Sequence, residues 1–256
     1  DTCVASDNES IDFADVDFTV EAWVYNRLKD VNRGILVKTN AFSDASLNYG
    51  LDQGPGGWRF RINSDGENFV ESLSHYNTNE WVHLAGVYKA GGIIELYVNG
   101  VMSATKSGVI QPVPNDGGLY IGSYFTGKFF DGNIRDVRIW NTARTGAQII
   151  ANMNTDLVGT ETGLVALYKL DEGTGTIATD SVSSNNGSIS GAKWDVFTGV
   201  SFKWGVEVTS IAKTYVEQDD KISEVTPISS TNDGILLLSE SNAYVDGDNT
   251  KGLRKV

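Results

Sequence analysis

The chain has 256 residues, enough for one large β domain or for one domain with a smaller appendage. Its formal net charge of -13 opposes binding to nucleic acid or to an anionic membrane, because like charges repel. The single cysteine, Cys3, excludes an internal disulfide, and no apolar stretch reaches the roughly 18 residues of a membrane-spanning helix.

Six segments in the first 140 residues have the composition and the period of two that β-strands favour. They are FTVEAWVY (18–25), WRFRI (58–62), WVHLAGVY (81–88), IIELYVNGVMSAT (93–105), LYIGS (119–123) and NIRDVRIW (133–140). The fourth segment predicts a hairpin, because Asn99-Gly100 accepts the positive φ angles of a type I′ turn. In the first segment one face is wholly apolar, while the other mixes polar and aromatic residues, as on a partly covered sheet face.

Only one segment has helical spacing. Thr145 and Gln148 fit a capping box, and apolar residues follow at Ile149, Ile150 and Met153, which predicts a short helix at about 145–154. Beyond it, two further segments indicate strands joined by a polar loop, namely GLVALYKLDEG (163–173) and GSISGAKW (187–194).

Many strands separated by turns, with a single short helix, predict an all-β fold of two antiparallel sheets. The pattern changes after Trp194: VSFKWGVEV (200–208) alternates strongly, and a charged, turn-rich stretch follows. We therefore predict a sandwich domain over 1–195. Residues 196–256 are expected to form an appended β unit or the beginning of a following module.

Four segments resemble the laminin-G-like and pentraxin-like members of the concanavalin A-like lectin/glucanase superfamily: FTVEAWV (18–24), WVHLAGVY (81–88), LYVNG (96–100) and IGSYFTGKFFDGNIRDVRIWNTAR (121–144). Residues 156–194 are similar to the closing segment of many bacterial secreted members. The resemblance, which covers about 1–195, implies a jelly-roll sandwich. It says less about function, because the superfamily includes lectins, adhesion modules, accessory modules of polysaccharide-degrading enzymes, and enzymes.

Catalytic motifs known from that superfamily are incomplete here. Retaining β-glucanases carry an E-x-D-x-x-E strand, whereas EQDD (217–220) is followed by Ile222 where the second glutamate should stand. YKAG (88–91) matches a motif of alginate lyases, but their partner motifs are absent. His75 and His83 accompany no recognisable nucleophile motif. We therefore expect that the chain is not an enzyme.

An acidic chain suits Ca²⁺, which binds carboxylate and carbonyl oxygens. The stretch 171–180 offers Glu172 and Asp180 among glycine carbonyls, although Asp180 could instead cap its own turn. The pentraxin resemblance adds Asp44 in an early loop, but residues 123–129 carry no carboxylate for that family's double site. We therefore predict a single structural Ca²⁺ with Glu172, Asp180 and Asp44 as candidate ligands.

The loop that opens the last family-like motif is rich in aromatic residues. Phe130 matches the apolar position of the family motif F-x-G-x-I and should be buried. Tyr124, Phe125 and Phe129 are not required by that motif, so they are candidate ligand contacts at the mouth of the sandwich.

A second candidate surface lies on the strand 58–62. Trp58 follows GPGG and could stack on a sugar or belong to the core, where it shares a face with Phe60. Arg59 and Arg61 project from the opposite face and could bind the acidic groups of a polysaccharide. Their alternative is pairing with neighbouring acids such as Glu71.

The function expected from these features is a non-catalytic, extracellular or cell-surface module that recognises a glycan or a glycosylated protein as part of a larger protein. The alternative is a structural adhesion or spacer module that binds protein partners and no small molecule. A polysaccharide-active enzyme without recognisable motifs is the third hypothesis. Neither nucleic acid nor membrane insertion is expected.

Overall fold

The computed structural model describes residues 1–29, 31–40, 47–63, 67–72, 78–123 and 128–194, together with four two-residue strands beyond residue 195. The chain divides into two compact units, Asp1–Asp195 and Val196–Val256.

The first unit is a sandwich of two antiparallel sheets. Within the described residues, the larger sheet has eight strands, in the spatial order β13 (Ile177–Ala178), β14 (Gly187–Ser190), β1 (Thr2–Ala5), β10 (Gly118–Ile121), β3 (Arg33–Thr39), β4 (Leu47–Gln53), β5 (Trp58–Ile62) and β6 (Phe69–Glu71). The smaller sheet has six, in the order β12 (Leu164–Tyr168), β11 (Gly132–Trp140), β2 (Phe18–Asn26), β7 (Trp81–Lys89), β8 (Ile93–Val98) and β9 (Val101–Ser107). The all-β, two-sheet architecture predicted from the sequence is confirmed.

The core lies between the two sheets and takes alternate residues from each strand. In β2, Phe18 and Val20 face this core, as the alternation predicted. Phe18 stacks on Phe13 with ring centroids 4.3 Å apart and on Tyr88 at 5.4 Å. Phe60 reaches Phe18 from the opposite sheet at 6.2 Å, so aromatic contacts join the two layers.

The predicted hairpin and helix are both present. Asn99 and Gly100 have φ angles of 50° and 78°, which join β8 to β9 through the expected two-residue turn. Helix α1 (Gly146–Met153) begins at Thr145, whose side chain forms a complete capping box with Gln148. Within the described residues, no helix combines the length and apolar character needed to cross a membrane.

Helix α1 covers part of the outer face of the six-stranded sheet. Ile149 packs there against Val87 and Tyr97, whose side chains point away from the inner core. This cover explains why Thr19, Glu21 and Trp23, on the outer face of β2, are buried although two of them are polar.

The few described residues of the second unit form two short antiparallel pairs. These are β15 (Glu217–Gln218) with β16 (Lys221–Ile222), and β17 (Ala243–Tyr244) with β18 (Arg254–Lys255). The strand predicted over 200–208 lies outside the described residues. Whether this unit is an appendage or the beginning of another module stays a prediction.

Candidate functional site

Pairing of three strands places a group of aromatic and arginine side chains on the outer face of the six-stranded sheet. Asn133, Tyr25 and Trp81 stand opposite one another on β11, β2 and β7. Arg135 and Trp23 form the next row on the same face, because side chains two residues apart along a strand share a face. Arg27 follows Tyr25 just beyond the end of β2. We call Tyr25, Arg27, Trp81, Asn133 and Arg135 the aromatic–arginine surface.

The two outermost rings of this surface are in contact. Tyr25 and Trp81 have centroids 5.7 Å apart with their planes inclined by 58°. The Arg135 guanidinium lies over the Trp81 ring at 5.1 Å and over the Trp23 ring at 5.3 Å. Such cation–π contacts hold the arginine against the aromatic rings while its tip stays accessible to water, the side chain being 38% exposed.

A β-bulge explains why Arg135 points outward. Between the pairs Arg135–Trp23 and Arg138–Glu21, β11 has one residue more than β2. Asp136 absorbs the extra residue with a φ of 51°. Burial raises the pKa of the Asp136 carboxyl, and the neighbouring Arg138 and Arg135 oppose that increase. The bulge therefore keeps Arg135 and Arg138 on the same face of the sheet.

Polar groups border the aromatic rings. Arg27 Nη2 donates to Asn133 Oδ1 at 2.6 Å, and Arg27 Nη1 lies 4.0 Å from the exposed Asp131 carboxylate. The Arg27 guanidinium also lies over the Tyr25 ring at 5.7 Å. Aromatic faces beside an amide, a guanidinium and a carboxylate can together contact the apolar and hydroxylated sides of a sugar ring.

The aromatic loop predicted from the sequence connects to this surface. The Arg27 backbone N–H donates to the carbonyl of Asp131 at 2.9 Å, so the end of the loop is fixed beside the end of β2. Phe129 is 41% exposed, and Phe130 is buried in the core as predicted. Tyr124 and Phe125 lie outside the described residues, and their role stays a prediction.

The structure places Trp58 in the core. Its side chain is 1% exposed and belongs to the cluster between the sheets, because its face of β5 points inward. This corrects the expectation that its ring is a ligand contact, and it agrees with the alternative left open by the sequence.

Arg59 and Arg61 lie on the outer face of β5, but an acid from the neighbouring strand holds both. Arg59 Nε is 2.6 Å from Asp52 Oδ1, and Arg61 Nε is 2.6 Å from Asp52 Oδ2. Glu71 stands opposite Arg59 on the other side, and its carboxylate accepts from the Gly56 N–H at 3.1 Å. The two arginines are thus part of an ion-pair network, which is the pairing alternative.

Two of the predicted calcium ligands, Glu172 and Asp180, accept hydrogen bonds from backbone N–H groups. Asp180 Oδ1 accepts from the N–H groups of Leu167 and Val182, both at 3.0 Å, so this carboxylate caps its own turn. Glu172 accepts from the Thr179 N–H at 2.6 Å. Among the residues that the structure describes, no three His, Cys, Asp or Glu side chains form a group suited to a metal ion. Asp44 lies outside those residues, and calcium stays a prediction.

Sequence reasoning missed the aromatic–arginine surface, because it treated WVHLAGVY (81–88) as a family-like strand and did not name Trp81 as a candidate contact. Trp81 is in fact partly exposed, at the first residue of β7. A signal was available in β2, where Trp23 and Tyr25 alternate with apolar residues. The partners on β11 could not be aligned with them, because the bulge at Asp136 shifts the register.

Comparison with known proteins places this fold among lectin-like domains. Residues 1–150 match the Laminin_G_3 family model, described as "Concanavalin A-like lectin/glucanases superfamily". Mouse pappalysin-1 is 31% identical over 91 residues, which cover 34% of this chain and 6% of that protein.

Among solved structures, a protein from Bacteroides ovatus ATCC 8483 to which carbohydrate binding has been ascribed is similar, with 25% identity and a TM-score of 0.58. The match covers 73% of this chain and 54% of that one. Domain 4 of AbnA, an extracellular arabinanase from Geobacillus stearothermophilus, in complex with arabinotriose, has a TM-score of 0.45 at 17% identity, covering 56% of this chain and 68% of that domain.

The chain thus spans about half of the Bacteroides ovatus chain and a small part of pappalysin-1. The family model covers more than half of the 256 residues and includes every residue of the aromatic–arginine surface. The chain therefore belongs to the concanavalin A-like lectin/glucanase superfamily, within its laminin-G-type family.

Proposed function

We propose that this chain is a non-catalytic module that binds carbohydrate through the aromatic–arginine surface, as part of a larger extracellular protein. The observation that carries the proposal is the contact of two partly exposed rings, Tyr25 and Trp81, beside hydrogen-bonding groups of Arg27, Asn133 and Arg135. Membership of a lectin-like superfamily and similarity to the Bacteroides ovatus protein support it.

Sugar rings suit such a surface for a physical reason. The C–H groups on one face of a pyranose or furanose are apolar and pack on an aromatic ring, while the hydroxyl groups at its edge need donors and acceptors. Trp81 and Tyr25 offer the first kind of contact, and Arg27 and Asn133 offer the second. Side chains held by cation–π contacts and hydrogen bonds lose little conformational entropy when a ligand binds.

The environment of the described histidine supports the non-catalytic part of the proposal. His83 is fully buried, with Nε2 3.3 Å from Glu21 Oε2 beneath helix α1, so a substrate does not reach it in this conformation. His75 lies outside the described residues. The sequence also carries no complete catalytic motif of the superfamily.

Substitution at the surface tests the proposal. Trp81→Ala and Tyr25→Ala should each weaken binding of a glycan identified on a carbohydrate array by at least about tenfold, because loss of a central aromatic contact costs more than about 1.4 kcal/mol. Isothermal titration calorimetry measures the loss. Trp194→Ala is the matched control, because Trp194 is a partly exposed tryptophan bound instead to the Gly175 carbonyl at 2.8 Å.

Two results decide the proposal. Weakened binding by the first two variants, with near-normal melting temperatures and unchanged binding by the control, supports it. Absence of binding to any glycan by the unaltered chain, together with capture of a protein partner, would favour the adhesion or spacer alternative.

A further inference from the structure

We infer that the aromatic–arginine surface recognises neutral sugars and discriminates against uronic acids and sulfated sugars. This inference rests on the proposed function, because it names the class of sugar that the same surface takes. It is carried by the carboxylates that accompany both guanidinium groups of the surface.

The first pair is Arg135 with Asp136. Arg135 Nη1 donates to Asp136 Oδ2 at 2.8 Å, and its guanidinium lies over two tryptophan rings. Arg138 Nη2 approaches the other Asp136 oxygen at 3.8 Å, so the carboxylate stands between two arginines. The Arg135 cation is therefore already engaged by a charged partner within the surface.

The second pair is Arg27 with Asp131. The two charged groups are 4.0 Å apart, and their side chains are 46% and 49% exposed. The backbone bond between Arg27 and Asp131 holds the acid at this position. An anionic sugar group approaching Arg27 would meet the Asp131 carboxylate at the same time, and like charges at such distances repel.

The rest of the chain adds to this repulsion. The formal net charge is -13, and the two arginines on β5 are also held by an acid, Asp52, at 2.6 Å each. Long-range attraction of a polyanion is therefore opposed.

A guanidinium next to a carboxylate is well suited to neutral hydroxyl groups. A sugar hydroxyl can donate to Asp131 while it accepts from Arg27 or from the amide of Asn133, so neighbouring donors and acceptors suit it at the same place. Because a neutral sugar brings no charge to the surface, its affinity should depend little on the salt concentration.

Binding to matched polysaccharides tests the inference. Oligosaccharides of neutral arabinan, mannan and β-glucan are compared by calorimetry with polygalacturonate and a sulfated polysaccharide, at about 0.05 and about 0.5 M NaCl. We expect binding to at least one neutral ligand, with a Kd that changes by less than about twofold between the two salt concentrations.

The Asp131→Asn variant removes one carboxylate from the surface and keeps its shape. The variant should bind the neutral ligand more weakly. It should also bind polygalacturonate measurably and in a salt-sensitive manner, because Arg27 then faces a neutral amide. Glu9→Gln makes the same change of net charge away from the surface, in the 3₁₀ turn Glu9–Ile11, and should alter neither property. Circular dichroism confirms that both variants are folded.

The outcomes separate the two proposals. Tight, salt-sensitive binding of polygalacturonate or the sulfated polymer by the unaltered chain would overturn the inference and leave carbohydrate binding standing. Binding of none of the probes, neutral or acidic, would count against both proposals. An Asp131→Asn variant identical to the unaltered chain would also overturn the role given to the carboxylate.

Discussion

Lys38 is a fully buried cation held entirely by oxygen atoms near the end of β3. Its ammonium group lies 2.6 Å from Asp12 Oδ1 and 2.8 Å from Asp7 Oδ1. It also donates to the carbonyls of Asn115 at 2.8 Å and Gly117 at 2.7 Å. A buried charge is tolerated only when it is paired and hydrogen-bonded in this way. This residue therefore connects the segment before β2 with the segment before β10.

Removal of this cation should destabilise the sandwich strongly. Lys38→Met leaves the oxygens of Asp12 and two carbonyls without their partner, which costs about 3–5 kcal/mol. Urea denaturation measures the loss. Lys106→Met is the control, because Lys106 is 36% exposed beside an exposed Glu67 and should change stability by less than about 0.5 kcal/mol. Equal stabilities of the two variants would contradict the role of Lys38.

The same residues show what sequence reasoning could not reach. The pairing of Arg59 with an acid was left open, but Asp52 could not be named, because it lies on β4 and the residues of that strand do not alternate. The exposure of Trp81 was missed because a family-like motif does not state how much of a side chain is covered. Both facts depend on neighbouring strands that are distant in sequence.

At the level of elements, helix α1 is fixed to the sheet by a buried ionic cluster. Glu21 on β2 lies 3.4 Å from Arg144 and 3.9 Å from Arg138. Arg138 in turn donates to the carbonyls of Asn152 and Thr155, at 2.8 and 2.9 Å, just where the helix ends. These bonds add a charged donor to the carbonyl groups where the helix ends, next to the backbone bond from the Thr155 N–H to the Asn152 carbonyl at 2.8 Å.

Substitution of Arg138 should release the end of the helix. In Arg138→Leu the Glu21 carboxylate loses a cation, and the carbonyls of Asn152 and Thr155 each lose a charged donor. Amide hydrogen exchange should therefore become faster over 146–155 than in β7 and β8. Hydrogen exchange followed by mass spectrometry measures this difference. Uniformly faster exchange over the whole sandwich would show instead that the cluster is part of the global core.

Strands whose residues alternate regularly between apolar and polar, and whose turns have a recognisable sequence, were predictable, and other strands were not. β2, β5, β7 and the hairpin of β8 and β9 have the predicted positions, because local pattern and tertiary environment agree there. β4 was not predicted, since its polar residues are buried by distant partners. Asn48, for example, donates to the carbonyls of Phe13 and Val113.

For the molecule as a whole, the negative net charge was one reason to predict a bound Ca²⁺. If Glu172 and Asp180 hold the ion, the melting temperature in excess Ca²⁺ should exceed that in EDTA, because a ligand that binds only the folded state stabilises it. Asp180→Asn should remove the difference. Equal melting temperatures of the unaltered chain in the two conditions would contradict the prediction. The role of Asp180 would then be structural: its carboxylate accepts hydrogen bonds from the backbone of its own turn.

The architecture followed from the sequence because a two-sheet sandwich needs little more than alternating strands, turns and a resemblance over much of the chain. The candidate site did not, because it is assembled from three strands, and the pairing of one of them, β11, with β2 shifts in register at a bulge around Asp136. Tyr25, Trp81 and Asn133 are far apart in the sequence, and the pairing of their strands brings them into one row.

The central claim, carbohydrate binding at the aromatic–arginine surface, is tested most directly by locating a bound ligand. A crystal structure of the chain with a neutral oligosaccharide that binds it in solution would provide this location. We predict a sugar ring packed on Trp81 or Tyr25, with hydroxyl groups hydrogen-bonded to Arg27, Asn133 or Asp131. A ligand bound elsewhere, for example on the outer face of β5 beside Arg59 and Arg61, with the aromatic–arginine surface empty, would contradict the account.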